Sequence, residues 1–427
     1  MKLKSIRLRN FRCFEDTGEI ELKPLIVLVG ANSSGKSSIL KFFPLLKQSI
    51  NADVDGVFKW TSEDVDFYDF ENTVLENNIS KSITMELTFG KKDGGSFVIS
   101  ESIGCEDQYE ETINYFCVKS EDDNAKFVIE TDYKKHKLKY EGIGSIQIDE
   151  DKVEYVKGVN NFIPNVFYKT KFLSLVKSRV DNLINTTKDE FDNFIKNIYY
   201  MAPLRLDVLR NYSIQHQGKT DYVYSNASNL AYYLNQLSNS DKIELNKWFE
   251  EYGFDISIDF EKLSKNINAG ILEICIKTKW MKKSRNIIDL GFGFSQILPI
   301  IVLMWDSIKK VTETGYRDNQ YSKIVVIEQP EVHLHPRYIG KFATIISKAI
   351  KLCEEKQIPI SFIVETHSFS LLNKIGTLVY GKNMKKEDVN VLIFNQDEEQ
   401  GITIIEPKTY DEEGALEDWP INFFDED

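Results

Sequence analysis

The chain has few cysteines, and nothing in the sequence ties them together. Its five cysteines, among 427 residues, are widely scattered and include no CxxC pair. Neither a disulfide framework nor a zinc site is therefore indicated. The longest apolar run, residues 297–305, is short, whereas a membrane span needs about 20 residues. The basic N-terminal residues lack an apolar signal-peptide core, so we expect a cytoplasmic protein with no membrane partner.

Repeats, heptads and a basic charge excess are also missing. No period typical of a solenoid is visible, and no heptad pattern is sustained enough for a long coiled coil. The 53 Lys and Arg residues against 66 Asp and Glu residues give a net charge of −13. This balance argues against a protein that coats nucleic acid nonspecifically, although it leaves a local basic groove open. The 42% hydrophobic and 28% charged residues are typical of a soluble globular protein.

The order of the apolar patterns predicts an α/β fold. Residues 25–29 form a continuous apolar run that suits a strand buried on both faces, and a helix is predicted from about Gly35 to Gln48. Alternating segments in 81–156 predict an antiparallel β subdomain. Helical spacing follows in about 171–198 and 226–250. Strands return near Ile271 and in the segments KIVVIE, PISFIVE and VNVLIF. We predict an ATPase lobe in two parts, 1–165 and 251–427, around a helical insertion at 166–250.

The segment GANSSGKS fits the GxxxxGK[ST] phosphate loop in full and lies between a predicted strand and a predicted helix. The backbone amides of such a loop cradle the phosphates of ATP. Lys36 is expected to reach the β- and γ-phosphates, and the Ser37 hydroxyl to hold Mg²⁺. The predicted nucleotide-binding residues here are Gly30, Asn32, Ser33, Ser34, Gly35, Lys36, Ser37 and Ser38.

Two further apolar strands end in polar residues that complete this site. Residues 324–327 lead into Glu328, which is expected to bind the metal, and then into Gln329 and Glu331. Residues 361–364 lead to His367, at the edge of a parallel sheet where ligands bind. Alone, His367 would more often be a structural or surface histidine. Metal binding is assigned to Ser37 and Glu328. Catalytic roles are assigned to Lys36, Glu328, Gln329, Glu331 and His367.

A second glycine-rich segment, GFGFSQ at 291–296, precedes an apolar helix. Glycine and serine at a helix N-terminus form an anion site. Because the phosphate loop already serves this nucleotide, Gly293, Ser295 and Gln296 are predicted to reach a nucleotide on another subunit. The alternative is a simple helix start with Ser295 as the cap.

In this order, the segments GANSSGKSS, GFGFSQILPI, VVIEQPEVHLHP and VETHS resemble the motifs of the ABC-type ATPase class that includes RecF, SMC heads and OLD-family ATPases. The opening KSIRLRNFRCFED is similar to this class, and so is the segment at 200–205. The tail at 418–425 resembles that of a poorly characterised bacterial branch. The resemblance implies an ABC-type P-loop ATPase head that binds ATP and Mg²⁺. It also implies a head-to-tail dimer, or a higher oligomer, that sandwiches two ATP molecules.

Three departures from this class shape the expected activity. The chain has no coiled-coil insertion, so an SMC-type tether is excluded. Few residues follow His367 and no ExxxxDxD-like cluster is present, so nuclease activity in the same chain is not expected. Gln329 stands where the class usually has its catalytic glutamate, and a neutral amide cannot accept a proton from water. We expect slow hydrolysis with Glu331 as the residual base. Whether Glu331 fully replaces the usual glutamate is left open.

Three functions are compared. The first is an ATP-switched dimer, in genome maintenance or phage defence, that controls a separately encoded effector such as a nuclease. The second is a RecF-like repair clamp that binds duplex DNA directly; a transporter subunit is disfavoured by the insertions. Three basic segments could bind nucleic acid, although each is more simply a solvated surface. They are Lys134, Lys135, His136, Lys137 and Lys139; Lys169, Lys171, Lys177 and Arg179; and Lys282, Lys283 and Arg285.

Overall fold

The structure is a computed structural model. It describes residues 2–50, 56–91, 95–105, 111–120, 125–132, 135–141, 146–148, 153–159, 163–168, 174–205, 209–213, 222–252, 256–265, 270–313, 321–397, 399 and 401–418. Several predicted features lie outside this part of the chain. They are the tail beyond Asp418, the residues Lys134, Lys169 and Lys171, and the side chains of Lys135, His136, Lys137, Lys177 and Arg179.

The strands and helices follow in chain order. The first strands are β1 (Lys2–Phe11), β2 (Phe14–Asp16), β3 (Ile20–Glu21), β4 (Leu25–Gly30), β5 (Ile83–Gly90), β6 (Ser96–Cys105), β7 (Glu111–Ser120), β8 (Ala125–Asp132), β9 (Lys135–Glu141), β10 (Ile146–Ile148), β11 (Val153–Val159) and β12 (Ile163–Tyr168). The remaining strands are β13 (Ile198–Met201), β14 (Tyr212–Ser213), β15 (Ile256–Ile258), β16 (Ile271–Leu272), β17 (Cys275–Thr278), β18 (Arg285–Asn286), β19 (Lys323–Glu328), β20 (Ile360–Glu365), β21 (Val389–Asp397) and β22 (Ile402–Lys408). The α-helices are α1 (Lys36–Ser49), α2 (Ser174–Lys196), α3 (Leu230–Gln236), α4 (Asn239–Glu251), α5 (Phe260–Lys265), α6 (Phe292–Glu313), α7 (Pro336–Glu355) and α8 (Phe369–Tyr380).

A six-stranded sheet in the order β13-β19-β20-β4-β21-β22 forms the centre of the fold. All neighbouring strands are parallel except β22, which pairs antiparallel with β21. The continuous apolar run of β4 is divided between two hydrophobic cores. Leu25, Val27 and Val29 face one core, and Ile26 and Leu28 face the other. The prediction of a strand buried on both faces is therefore correct, and so is the α/β fold class.

An antiparallel sheet in the order β10-β9-β8-β7-β6-β5-β1-β2, with β3 also paired to β1, covers one side of the molecule. Its apolar face packs on α1 and α2, where the ring centroids of Phe89 and Phe194 are 5.4 Å apart. Strands β5 to β10, which lie within the predicted range 81–156, all belong to this sheet. The antiparallel subdomain was therefore predicted correctly. The pair β11 and β12 forms a separate two-stranded sheet.

The helical stretch predicted at 226–250 is two helices, α3 and α4. The break comes at Ser238, which starts α4 with a capping box: its side chain accepts from the Asp241 backbone N–H, and the Asp241 side chain accepts from the Ser238 N–H. Strand β13, inside the predicted helical insertion, belongs to the six-stranded sheet. The predicted domain limits stay a prediction. No helix among the described residues is long and apolar enough to cross a membrane.

Candidate nucleotide-binding site

The phosphate loop connects β4 to α1, and two of its positions require glycine. Gly35 has a φ of 90°, in the left-handed region that other residues avoid. A Cβ atom on Gly35 would lie 2.5 Å from Cys13 Sγ, and one on Gly30 would lie 2.8 Å from the carbonyl oxygen of Phe394. Both glycines of the motif are therefore needed for close packing, and Gly35 is needed for the turn as well.

Lys36 is the first residue of α1 and lies buried beneath the loop. Its Nζ donates to the carbonyl oxygens of Gly30, at 3.0 Å, and Ala31, at 2.6 Å. Burial lowers the pKa of Lys36, and the Glu365 carboxylate partly opposes this. The ammonium group is thus held inside the loop, where phosphate oxygens could replace the two carbonyls as acceptors.

Two carboxylates lie side by side at the C-terminal edge of the parallel sheet. Glu328 ends β19, Glu365 ends β20, and the two residues are paired in the register of these strands. Ser37 Oγ donates to Glu365 Oε2 at 2.9 Å. The motifs had pointed to Ser37 and Glu328 as the metal ligands and to no role for Glu365. A signal was available, because both acids end a continuous apolar strand.

This group of oxygen atoms suits Mg²⁺. Magnesium prefers hydroxyl and carboxylate oxygens, and it usually keeps water and substrate phosphates among its ligands. Ser37, Glu328 and Glu365 could therefore hold the ion together with a nucleotide, without a closed protein cage. Accordingly, no group of three or more His, Cys, Asp or Glu side chains in the described residues is arranged as a metal site by itself.

Glu328 is held by a tyrosine that the sequence motifs did not single out. The Tyr200 hydroxyl, on β13, donates to Glu328 Oε1 at 2.8 Å. Burial raises the pKa of Glu328 to about 7, with a further contribution from Glu365, while the Tyr200 hydrogen bond opposes the rise. A carboxyl group with this pKa changes charge near neutral pH, so a cation beside it would favour the ionised form.

The turn after β19 brings the remaining predicted catalytic residues to the same edge. Gln329 has a φ of 42°, and its backbone N–H donates to the Glu365 carbonyl oxygen at 3.0 Å. Glu331 Oε1 accepts from the backbone N–H of His367 at 2.6 Å, and burial raises the pKa of Glu331. The exposed His367 ring has a lowered pKa, because of partial desolvation and then the nearby Lys36 charge.

A cavity of about 680 Å³ lies over the phosphate loop. Gln329, Glu365 and most of the segment 72–77 are among its lining residues. Arg12 also lines the cavity and fixes that segment, since its Nη1 donates to the Asn72 carbonyl oxygen at 2.7 Å. No sequence motif pointed to 72–77. The only signal for Arg12 was its place in the opening segment, which carried the class resemblance but no assigned role.

The second glycine-rich segment, 291–296, was predicted to precede a helix, but most of it forms the first turn of α6. Helix α6 begins at Phe292, so the alternative in which Ser295 caps the helix is wrong. Ser295 is 5% exposed and Gln296 is 2% exposed, whereas Gly293 is half-buried. Of these three predicted residues, Gly293 is the one that is partly exposed.

Arg205 connects this helix to the turn after β19. Its Nε donates to Gln296 Oε1 at 3.2 Å, and its Nη2 donates to the Gln329 carbonyl oxygen at 3.2 Å. Burial lowers the pKa of Arg205 to about 10, and the Glu331 carboxylate opposes this shift. The sequence had drawn attention to Arg205 only as part of a resemblance. Its position ties the start of α6 to the predicted catalytic turn.

Comparison with known proteins gives a family. Residues 1–372 match the AAA ATPase domain family, and no curated protein matches the chain. Similar solved structures include an SMC head domain from Thermotoga maritima, which is 13% identical, covers 95% of this chain and 99% of its own, and has a TM-score of 0.44. An SMC head bound to the C-terminal winged-helix domain of ScpA is 12% identical, covers 96% and 98%, and has a TM-score of 0.44. An SMC head with an extended coiled coil, bound to the C-terminal domain of ScpA derived from Pyrococcus furiosus, is 12% identical, covers 96% of both chains and has a TM-score of 0.37.

The family match spans most of the chain, so this protein belongs to the AAA ATPase domain family. Its fold is an α/β P-loop ATPase fold, with the phosphate loop on a central strand of a largely parallel sheet and an antiparallel sheet packed beside it. ATP binding and hydrolysis are the activities of this class.

Proposed function

We propose that the protein is an ATP-switched dimer in which each subunit completes the nucleotide site of the other. The observation that carries this proposal is a divided site. The phosphate loop, Gln329 and Glu365 line the nucleotide cavity, whereas the start of α6 lies at the surface with Gly291 exposed and Gly293 half-buried. A helix N-terminus of this kind attracts phosphate. In a head-to-tail arrangement it would meet the γ-phosphate bound by the partner.

The residues of this chain would share the work of binding. The loop amides and Lys36 hold the phosphates, and Ser37, Glu328 and Glu365 hold Mg²⁺. When bound, Mg²⁺ neutralises charge on the phosphate oxygens. Tyr200 keeps Glu328 at the metal position, and the backbone at His367 is fixed by Glu331. These contacts orient the γ-phosphate before a water molecule attacks it.

We propose that turnover is slow. Gln329 lines the cavity at the position where the class usually has an acid, and its neutral amide can orient water but cannot remove a proton. Glu331 is the proposed residual base, because its buried carboxyl group has a raised pKa and lies in the same turn. A slow step would keep the dimer closed for long periods.

The process that this switch controls is proposed to be directed at nucleic acid. The favoured role is phage defence through a separately encoded effector such as a nuclease, in line with the motif resemblance. The alternative is a RecF-like clamp that binds duplex DNA itself. The exposed side chains of Lys282, Lys283 and Arg285 favour some direct contact with nucleic acid. A steep salt dependence of duplex binding in the presence of ATP would favour the clamp.

The dimer is tested with Gly293→Arg. A Cβ atom at Gly293 would make only ordinary contacts, the nearest being the His333 carbonyl oxygen and Leu334 Cδ2, both at 3.7 Å. The variant should therefore fold and bind ATP but fail to dimerise, because it places bulk at the joint. Size-exclusion chromatography with light scattering, with and without ATP, provides the measurement. Lys36→Ala is the control that should lose ATP binding itself. A Gly293→Arg protein that still dimerises with ATP would contradict the sandwich.

A further inference from the structure

The hairpin formed by β17 and β18 has a tryptophan at its tip. The two strands pair antiparallel through Cys275 and Asn286. The turn between them closes with a hydrogen bond from the Met281 backbone N–H to the Thr278 carbonyl oxygen, at 3.0 Å. Trp280 is 82% exposed at this turn. Burying an aromatic side chain is strongly favourable, so a fully displayed indole on an ordered turn indicates a surface that binds something.

Positive charge surrounds this indole. The basic residues of the hairpin all have exposed side chains; they are Lys277, Lys279, Lys282, Lys283 and Arg285. The stretch 277–286 contains no acidic residue, in a chain whose net charge is −13. Two acids near the hairpin already have partners, although the Asp289 charge also acts on Arg285. Asp289 forms an ion pair with Arg210 at 2.6 Å, and Asp259 accepts a hydrogen bond from Ser284. The hairpin tip is therefore a local cationic site.

We propose that this hairpin tip binds single-stranded nucleic acid, with Trp280 stacked on a base and Lys282 and Lys283 against phosphates. An aromatic ring flanked by cations matches the alternation of flat bases and anionic phosphates along a single strand. A single strand fits better than a duplex, because paired bases are already stacked on one another and present no free face.

The position of the hairpin connects this ligand to the ATP switch. After β18 the chain passes through a single turn of 3₁₀ helix, Ile287–Leu290, and reaches Gly291 and the start of α6. A strand held at the tip therefore acts on the segment that is proposed to face the partner's nucleotide. The inference rests on the proposed function for this consequence, but binding itself requires neither ATP nor dimerisation and can be tested separately.

The stacking contact is tested with Trp280→Ala. The probe is a fluorescently labelled oligothymidylate, and its anisotropy is measured in low salt. Loss of base stacking should weaken binding by about tenfold or more. Tyr380→Ala is the matched control, since Tyr380 is also exposed, at 67%, and lies on α8; it should bind as the parent does. The intrinsic tryptophan fluorescence of the parent should fall as the oligonucleotide is added, and this fall should be absent in Trp280→Ala, since Trp60, Trp248 and Trp305 are buried.

The phosphate contacts are tested with the double variant Lys282→Ala, Lys283→Ala. Losing two contacts to a single strand should reduce the slope of log K against log salt concentration by about 1.4. The control is Lys351→Ala, Lys356→Ala, which removes two exposed charges elsewhere and should leave the slope unchanged.

Equal binding by the parent protein, Trp280→Ala and the lysine double variant would overturn the proposal. So would no binding by the parent in low salt, or tighter binding to a duplex of the same sequence with no change in Trp280 fluorescence. Tighter binding to anionic lipid vesicles than to the oligonucleotide, lost in Trp280→Ala, would assign the tip to a membrane surface and also overturn it. ATP-induced dimerisation is measured on the same preparations. Dimerisation without oligonucleotide binding would support the ATP-switched dimer and contradict the hairpin proposal. Oligonucleotide binding without dimerisation would support the hairpin proposal and contradict the dimer.

Discussion

The phosphate loop and the segment 291–296 are both glycine-rich turns that lead into helices, yet their polar groups face opposite ways. In the loop, Asn32 and Ser33 are exposed toward the nucleotide cavity. In the second segment, Ser295 and Gln296 are buried in their own subunit, and Gln296 accepts a hydrogen bond from Arg205. The phosphate loop exposes polar side chains where a ligand can bind. The segment 291–296 exposes mainly the backbone of its glycines.

This difference shows which parts of a site depend on local sequence. A phosphate loop is made by backbone amides, and the spacing of its glycines sets their direction. A segment that works through side chains depends on what distant parts of the chain place against it. Substitutions of the loop glycines should therefore abolish ATP binding. Substitutions in the contacts around the loop should reduce activity or dimerisation only partially.

The largest effect is expected from Gly35→Ala. The new Cβ atom would lie 2.5 Å from Cys13 Sγ and 2.7 Å from Phe14 Cζ, at a φ of 90°, so the loop should lose its shape and ATP binding should be abolished. Gly18→Ala is the control. It has a φ of 66° with nothing within 4 Å of the added atom, and it should cost only about 1 kcal/mol of backbone strain. Calorimetric ATP titration and thermal melting distinguish the two; retained ATP binding in Gly35→Ala would contradict the backbone argument.

A large but partial effect is expected in the turn after β19. Gln329→Glu should raise the rate of ATP hydrolysis, because it supplies the acid that the position lacks. Glu331→Gln should lower the rate by about 10²-fold if Glu331 is the residual base. The amide at position 331 keeps an oxygen atom for the His367 N–H, so the turn should survive. Steady-state phosphate release is the measurement. If Gln329→Glu has no effect or slows turnover while Glu331→Gln abolishes it, position 329 is not a vacant base site, and the slow switch must be abandoned.

Glu328 should make the stability of the nucleotide-free protein depend on pH. Its folded pKa of about 7 lies above the ordinary value of 4.5, so its proton favours the folded state. This contribution is complete below pH 4.5 and is lost as the pH rises through about 7. The loss amounts to about 3 kcal/mol. Denaturant unfolding across this interval should give a smaller fall for Glu328→Gln than for the parent. Equal pH dependence in both proteins would show that Glu328 is not the titrating group.

The smallest effect is expected from Arg205→Lys, which tests the link between the two turns. Lysine keeps the charge but cannot make both directed hydrogen bonds to Gln296 and Gln329. Losing one should weaken ATP-induced dimerisation by about fivefold, or about 1 kcal/mol, with ATP binding unchanged. Arg210→Lys is the control, because Arg210 belongs to an exposed ion pair with Asp289 and should change neither property. Equal dimer affinity in all three proteins would show that Arg205 does not couple the start of α6 to the predicted catalytic turn.

Features that depend on neighbouring residues could be predicted from the sequence, whereas contacts between distant parts of the chain could not. The buried run of β4, the strands ending at Glu328 and Glu365 and the phosphate loop were predictable, because each depends on neighbouring residues. The contact between Ser37 and Glu365 joins positions 328 residues apart, and that between Tyr200 and Glu328 joins positions 128 apart. Their meeting depends on the strand order of the sheet. The pattern of apolar and polar residues along the chain does not determine that strand order.

The strand order also sets where the molecule is stiff. The three strands that carry the nucleotide site, β19, β20 and β4, are adjacent in the middle of the six-stranded sheet, and each has a neighbour on both sides. Both faces of this sheet are packed against cores, and tightly packed interiors resist deformation. The sheet is therefore expected to move as a rigid body. Motion that follows ATP binding is expected in the turns after these strands and in the start of α6, with the sheet carried along as one piece.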